Sequence, residues 1–324
     1  MQRRYNKNFN YKFVKLKPAM DTTPILRISK TSLSAFLIAL PFLLPTMAAQ
    51  AAGTLQKINE SGTISIGFRD SAPPFSYLSA DRQAIGYSVD ICVKITEAIK
   101  RELKRSNLTV KYVPVSSSSR ITALTSQEID LECGSTTNTA ERRKQVDFTI
   151  PTFMAATRLL AKEESGIRSI FDLSGKKVAA TQGTSSEQFF KEQNESRSLR
   201  ATMILGKDHV ESFSFVESGK ADAFIMDDVM LYSLRSTAKN PADYAISREA
   251  LTVEPLAIML RKDDPSFKKL VDTEVARIIT QGEIHPIYRK WFESPIPPHG
   301  NNLKMPMSYM LRDSFKVPTA WLPN

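Results

Sequence analysis

From Ser88 onward, Ile91, Ile95, Ile99 and Leu103 recur at every fourth position with charged residues between them. That spacing lines one face of a helix and predicts an amphipathic helix there. Short runs rich in apolar and β-branched residues alternate with such segments along most of the chain. They predict strands at 64–69, 110–115, 129–133, 156–161, 177–181, 203–205, 223–226 and 255–260. Helices are expected from Arg120, at 187–192, 210–218 and 229–236, and then as two closing helices at 266–281 and 283–292. Alternating strands and helices predict an α/β protein whose sheets are mainly parallel and flanked by helices. Neither an internal repeat nor a low-complexity segment interrupts the pattern. Residues 295–324 are rich in Pro and Asn and are expected to wrap over the surface.

Residues 1–52 stand apart. Eight basic residues precede the apolar run 33–44 (LSAFLIALPFLL), and Pro45 and the small-residue stretch 48–52 (AAQAA) follow it. This is the order of a secretory signal peptide, with cleavage expected near Ala51 or Ala52. The apolar run is well short of the roughly 20 residues of a membrane-crossing helix. An uncleaved anchor is the alternative. Residues 1–30 carry +7 of the formal net charge of +10, which leaves +3 for the remainder. No basic run with interleaved aromatics follows, so nucleic acid is excluded as a partner. With 324 residues, 42% of them apolar and 24% charged, the chain has material for roughly two globular domains. In the oxidising compartment that a secretory signal implies, Cys92 and Cys133 either pair or remain two buried free thiols. Their spacing fits no metal motif.

Open α/β sheets hold ligands at the carboxyl ends of strands, where helix N-termini present free N–H groups. Three arginines fall at such places. Arg69 follows the first strand. Arg120 follows the second, after a serine run that includes Ser117. Arg142 follows the third, after Ser135, Thr136 and Thr137. Later strand ends lead into Ser185, His209 and Asp227. The planar arginine fork binds carboxylates bidentately, and hydroxyls at helix starts add donors. Asp227 offers a partner for a cationic amine. Several cations with one anion suit a small acidic zwitterion. Each residue also has a structural reading. A single Arg after a strand is most often solvated, Thr184–Glu187 reads first as a capping box, Asp227 and Asp228 as N-caps, and His209 as a helix cap. Phe75 and Tyr77 read first as core. The sequence has no G-x-S-x-G elbow, P-loop, dinucleotide fingerprint or His-x-x-x-His pair. No cofactor and no metal are expected.

Several stretches together carry a resemblance. They are Cys133-Gly134-Ser135-Thr136-Thr137-Asn138 with Glu141-Arg142, Lys207-Asp208-His209, and Phe224-Ile225-Met226-Asp227-Asp228, with residues 259–265 and 290–298. In these the chain resembles the periplasmic solute-binding proteins of polar amino-acid ABC transporters (solute-binding protein family 3), and more narrowly the glutamate/aspartate-binding members. The resemblance covers about 53–318. It implies a type II, two-lobed fold with two crossover hinge strands, lobe one being 53–149 plus 251–294 and lobe two 150–250. It implies that Arg142, Thr137 and Ser185 hold an α-carboxylate, and that Asp227 and Ser135 hold an α-ammonium. Arg69, Ser117, Arg120 and His209 would cage a side-chain carboxylate. The implied ligand is L-glutamate or L-aspartate, the implied partner an ABC permease, and the implied state a monomer without enzymatic activity. The chain departs from the family pattern at Phe68, where a polar residue is usual, and at Ser185, which replaces Thr. Ile258 stands where the family places the cysteine that partners Cys133, so the family disulfide does not carry over. The alternatives are a periplasmic enzyme acting on a small carboxylate, such as a dehydratase, and a ligand-sensing module.

Overall fold

A computed structural model of the protein describes residues 53–319. The expected signal peptide and its cleavage site lie outside the described residues. Helix α1 (Thr54–Ser61) leads into β1 (Thr63–Phe68). The short strands β2 (Ser71–Ala72), β3 (Ser76–Leu78) and β4 (Ala84–Ile85) form a small antiparallel sheet that the sequence pattern does not reveal. Helix α2 (Tyr87–Glu102) follows, and it buries Ile91, Ile95 and Ile99 as the four-residue spacing requires. Next come β5 (Thr109–Pro114), α3 (Arg120–Thr125), β6 (Leu131–Glu132) and β7 (Val146–Phe148).

The chain then crosses into a second sheet through the long strand β8 (Phe153–Lys162), followed by β9 (Lys177–Thr181) and α4 (Ser185–Ser196). Strand β10 (Thr202–Gly206), α5 (His209–Glu217), β11 (Ala223–Asp227) and α6 (Asp228–Thr237) come next. Strands β12 (Tyr244–Ile246) and β13 (Thr252–Leu256) complete this part. The return strand β14 (Met259–Arg261) belongs to the first sheet and precedes α7 (Pro265–Thr280), α8 (Ile284–Tyr288) and α9 (Tyr309–Ser314).

The first sheet has the order β5-β1-β6-β14-β7, and the second β10-β9-β11-β8-β12 with β13 also on β8. Each sheet is mixed. Strand β1 is parallel to β5 and β6, and β9 is parallel to β10 and β11. The strands that carry the chain between sheets run the other way. Strand β14 is antiparallel to β6 and β7, and β8 is antiparallel to β11, β12 and β13. The mainly parallel expectation therefore describes one half of each sheet. The strand expected at 255–260 is two strands, β13 and β14, in different sheets. Ala257 and Ile258 carry the chain between them, and an unbroken apolar run conceals the handover.

Aromatic packing fixes the base of the crossing. Phe153, the first residue of β8, lies 4.9 Å from Phe75 and 5.0 Å from Phe292, ring centre to ring centre. Tyr288 stacks on Phe292 at 4.4 Å, and the Tyr87 hydroxyl donates to the Thr152 carbonyl at 2.8 Å. Phe75 and Tyr77 are buried in this core, as their bland reading holds. Residues 295–319 pack back onto the body. The Met305 amide donates to the Phe292 carbonyl, Tyr77 Oη donates to the Pro297 carbonyl, and Asn301 Nδ2 donates to the Ser236 carbonyl on α6. Met307, Leu311 and Phe315 are buried.

Cys92 and Cys133 form a disulfide, which settles the choice left open by their sequence. It joins the middle of α2 to the residue after β6, with both cysteines fully buried. Ile258 is fully buried and takes no part in the bridge. Among the described residues no helix is long and apolar enough to cross a membrane, and no group of three or more potential metal ligands occurs.

Candidate functional site

The predicted site residues converge where the carboxyl ends of the parallel strands of both sheets meet. Arg69 follows β1, and its backbone N–H donates to Ser76 Oγ at 2.9 Å. Ser116 and Ser119 exchange backbone-to-side-chain bonds of 2.9 and 3.0 Å, and this closed turn places Ser117 and starts α3 at Arg120. Ser135 and Thr137 follow β6. Arg142 opens a 3-10 turn and donates from Nη1 to the Thr137 carbonyl at 2.9 Å.

From the second sheet, Thr184 caps α4 by accepting from the Glu187 amide, while Glu187 accepts from the Gly183 amide at 2.6 Å. The capping reading is correct for Thr184, and it leaves Ser185, the first residue of the helix, facing Thr137. Asp208 caps α5, so His209 is its first residue rather than its cap. Asp227 ends β11 without a side-chain capping bond.

Seven of the nine predicted residues line one small cavity: Ser117, Arg120, Ser135, Thr137, Ser185, His209 and Asp227. Thr184 and Met226 complete its wall, and the sequence reading gave neither a ligand role. Arg69 and Arg142 do not line this space. Arg142 reaches it through bonds to Thr137 and Gly183, and Arg69 lies close enough to Arg120 for their charges to interact.

The lobes touch at this point. Thr137 Oγ1 and Ser185 Oγ lie 2.9 Å apart, and Ser185 Oγ also donates to Glu254 Oε2 at 2.9 Å. The Gly183 carbonyl accepts from Arg142 Nη2 at 3.1 Å and from Arg120 Nη2 at 3.4 Å. Gly183 has φ +79, and a Cβ there would stand 2.7 Å from the Ser118 backbone. Only glycine permits this approach. The glycine was visible in Thr181-Gln182-Gly183-Thr184, but its role depends on a contact across the cleft that no local pattern encodes.

Several buried polar atoms of the site have no partner within the protein: Arg69 Nε and Nη1, Arg120 Nε, Ser117 Oγ, His209 Nε2 and Asp227 Oδ1. Donors and acceptors left so are expensive, roughly 1–3 kcal/mol each. The arrangement is therefore organised for a polar, charged guest. Burial and the neighbouring charge of Arg120 lower the Arg69 pKa to about 10 and the Arg142 pKa to about 9. Both remain cationic at neutral pH. Burial, then Arg69 and Arg120, hold His209 well below its usual range, so the imidazole is neutral. Its Nδ1 lies 3.0 Å from Thr181 Oγ1, which leaves Nε2 toward the site. Burial, Glu254 and Asp228 push the Asp227 carboxyl up to about 7, against the opposing pull of Arg142 and Arg120.

Residues 64–294 match the family model of bacterial extracellular solute-binding proteins, family 3. The chain belongs to this family. Within it, the chain is 43% identical over 295 residues to the L-glutamate/L-aspartate-binding protein of Pseudomonas aeruginosa, covering 91% of this chain and 98% of that one. It is 42% identical over 272 residues to the glutamate/aspartate import solute-binding protein of Escherichia coli, covering 84% and 90%. Among solved structures it resembles an ancestral arginine-binding protein bound to arginine, with TM-score 0.65, 28% identity, and coverage of 71% of this chain and 98% of that one. It also resembles an ancestral amino acid-binding protein that is a precursor of cyclohexadienyl dehydratase, with TM-score 0.64, 29% identity, and coverage of 74% and 99%. The fold is thus the two-lobed type II architecture of family 3, and the chain is a binding protein rather than an enzyme.

Proposed function

We propose that this family 3 protein captures L-glutamate or L-aspartate between its lobes in the periplasm and delivers it to an ABC permease. The observation that carries the reading is the buried pair Arg69 and Arg120 beside a neutral His209, all with unsatisfied donor or acceptor atoms. Two cationic forks and an uncharged ring suit a side-chain carboxylate and disfavour an amine. The charge partners of the site are consistent with this reading. Arg120 bears on Arg69 and His209, Glu254 bears on Arg142 and Asp227, and both Arg120 and Arg142 bear on Asp227. Arg142, Thr137 and Ser185 then take the α-carboxylate, and Asp227 with Ser135 takes the α-ammonium.

Ligand docks on residues 53–149 and 251–294, and rotation about β8 and β13 brings up Ser185, His209 and Asp227 from residues 150–250. Closure excludes water, which strengthens each charge-assisted bond. Such bonds contribute on the order of 1.5–3 kcal/mol each, so five or six suffice for micromolar binding after association costs. The exported protein acts as a monomer after its signal peptide is removed near Ala51 or Ala52. The test is calorimetry with Arg142→Ala. Heat of glutamate binding is expected to vanish in this variant, and an affinity close to wild type would contradict the assignment.

A further inference from the structure

One buried acid, Glu132, lies beside the site without lining its cavity. Glu132 occupies β6, opposite Gly67 on β1 and Met259 on β14, and is fully buried. A carboxylate inside a central strand is unfavourable unless paired with charge and hydrogen bonds. The opposite charge comes from Arg69 and Arg120, and the hydrogen bond comes from Thr136. Arg120 Nη1 donates to Thr136 Oγ1 at 2.6 Å, and Thr136 Oγ1 donates to Glu132 Oε2 at 2.6 Å. Thr136 is itself fully buried, so the relay excludes solvent. Glu132 Oε1 has no hydrogen-bond partner. Gly134 brings that oxygen beside Arg69. A Cβ at Gly134 would stand 2.2 Å from Glu132 Oε1 and 2.9 Å from Arg69 Cγ.

We propose that Glu132 is a positioning and selectivity residue: through Thr136 it sets the direction of the Arg120 guanidinium, and its charge leaves the Arg69–Arg120 pair with one net positive charge. The inference deepens the acidic-ligand reading and rests on it. Two guanidinium charges against one carboxylate leave a single positive charge, and the neutral His209 adds none. One ligand side-chain carboxylate neutralises that remainder. Before ligand arrives, Glu132 is the anion that lets two buried cations sit side by side. The same charge opposes an incoming anion, so it holds back glutamate affinity while organising the cage.

The charge and the direction can be separated by calorimetry with L-glutamate and with L-glutamine, which has nearly the same shape but a neutral side chain. Glu132→Gln keeps an acceptor for Thr136 and removes the charge. The glutamate-to-glutamine affinity ratio is expected to rise about tenfold, and the Tm of the free protein to fall. Thr136→Val keeps the charges and cuts the relay. Here the ratio is expected to fall about fivefold or more, while Thr136→Ser, which keeps the hydroxyl, restores it. A packing role would weaken both ligands alike, so ratios within about twofold of wild type in both variants overturn the inference. If Glu132→Gln does not fold, the Val and Ser variants at position 136 decide it. Wild-type protein is titrated alongside. Absence of wild-type glutamate binding overturns the acidic-ligand reading together with the inference, whereas normal wild-type binding with unmoved ratios overturns the Glu132 role alone.

Discussion

Asp227 is fully buried at the end of β11, among Glu254, Asp228, Arg142 and Arg120, and its carboxyl titrates at about 7 rather than near 3.8. Burial is the main cause and the two acids add to it. A carboxyl whose folded pKa is raised favours the fold while protonated. Its contribution to stability is complete below about pH 4 and is lost as pH rises toward 7. Asp227→Asn should therefore raise the Tm of the free protein at pH 8 and abolish binding, measured by thermal unfolding with and without glutamate. A lower Tm at pH 8 would contradict the account. An α-ammonium beside Asp227 favours the ionised form, so affinity should rise with pH up to about 7 and then level off. Binding at pH 6 should release protons, which calorimetry in buffers of different ionisation enthalpy detects as buffer-dependent heat. Heat that does not depend on the buffer would show that Asp227 is not the ammonium partner.

At the scale of elements, the disulfide between α2 and the residue after β6 holds the segment that carries Ser135 and Thr137. The bridged cysteines are 41 positions apart, and closing a loop of that length limits the unfolded chain by on the order of 4 kcal/mol. Cys92→Ala/Cys133→Ala should lower the Tm by several degrees, and the wild-type protein should lose a similar amount on reduction. A Tm insensitive to reductant would contradict a stabilising role. The strand and helix alternation was legible because apolar spacing reports burial directly, as α2 demonstrates. The division of 255–260 between two sheets was not, because Leu256 through Leu260 are apolar in either sheet. The cysteine pairing was not legible either, since it depends on how α2 lies against the sheet. Glu132 escaped notice for a related reason. In 129–133 the acids Asp130 and Glu132 alternate with apolar residues, a pattern that reads as a strand with one polar face until Arg69 and Arg120 are seen beside Glu132.

Across the whole molecule, the strand ends of two separate sheets supply one site, and the contacts among Thr137, Ser185, Gly183 and Arg142 join them. Arginines and hydroxyls at strand ends were visible in the sequence because that position is where open α/β sheets present ligands. The proposed partition into carboxylate clamp and side-chain cage was not legible from spacing, because it depends on which charged groups the fold brings together. Small-angle scattering should record a smaller radius of gyration on adding glutamate, as the lobes close around it. The most direct test of the central claim is a pair of titrations of the exported protein, with L-glutamate and with L-glutamine. Micromolar or tighter glutamate binding, with glutamine at least about a hundredfold weaker, is the predicted result. Equal affinity for the two, or no glutamate binding, would contradict an arginine cage built for an acidic side chain.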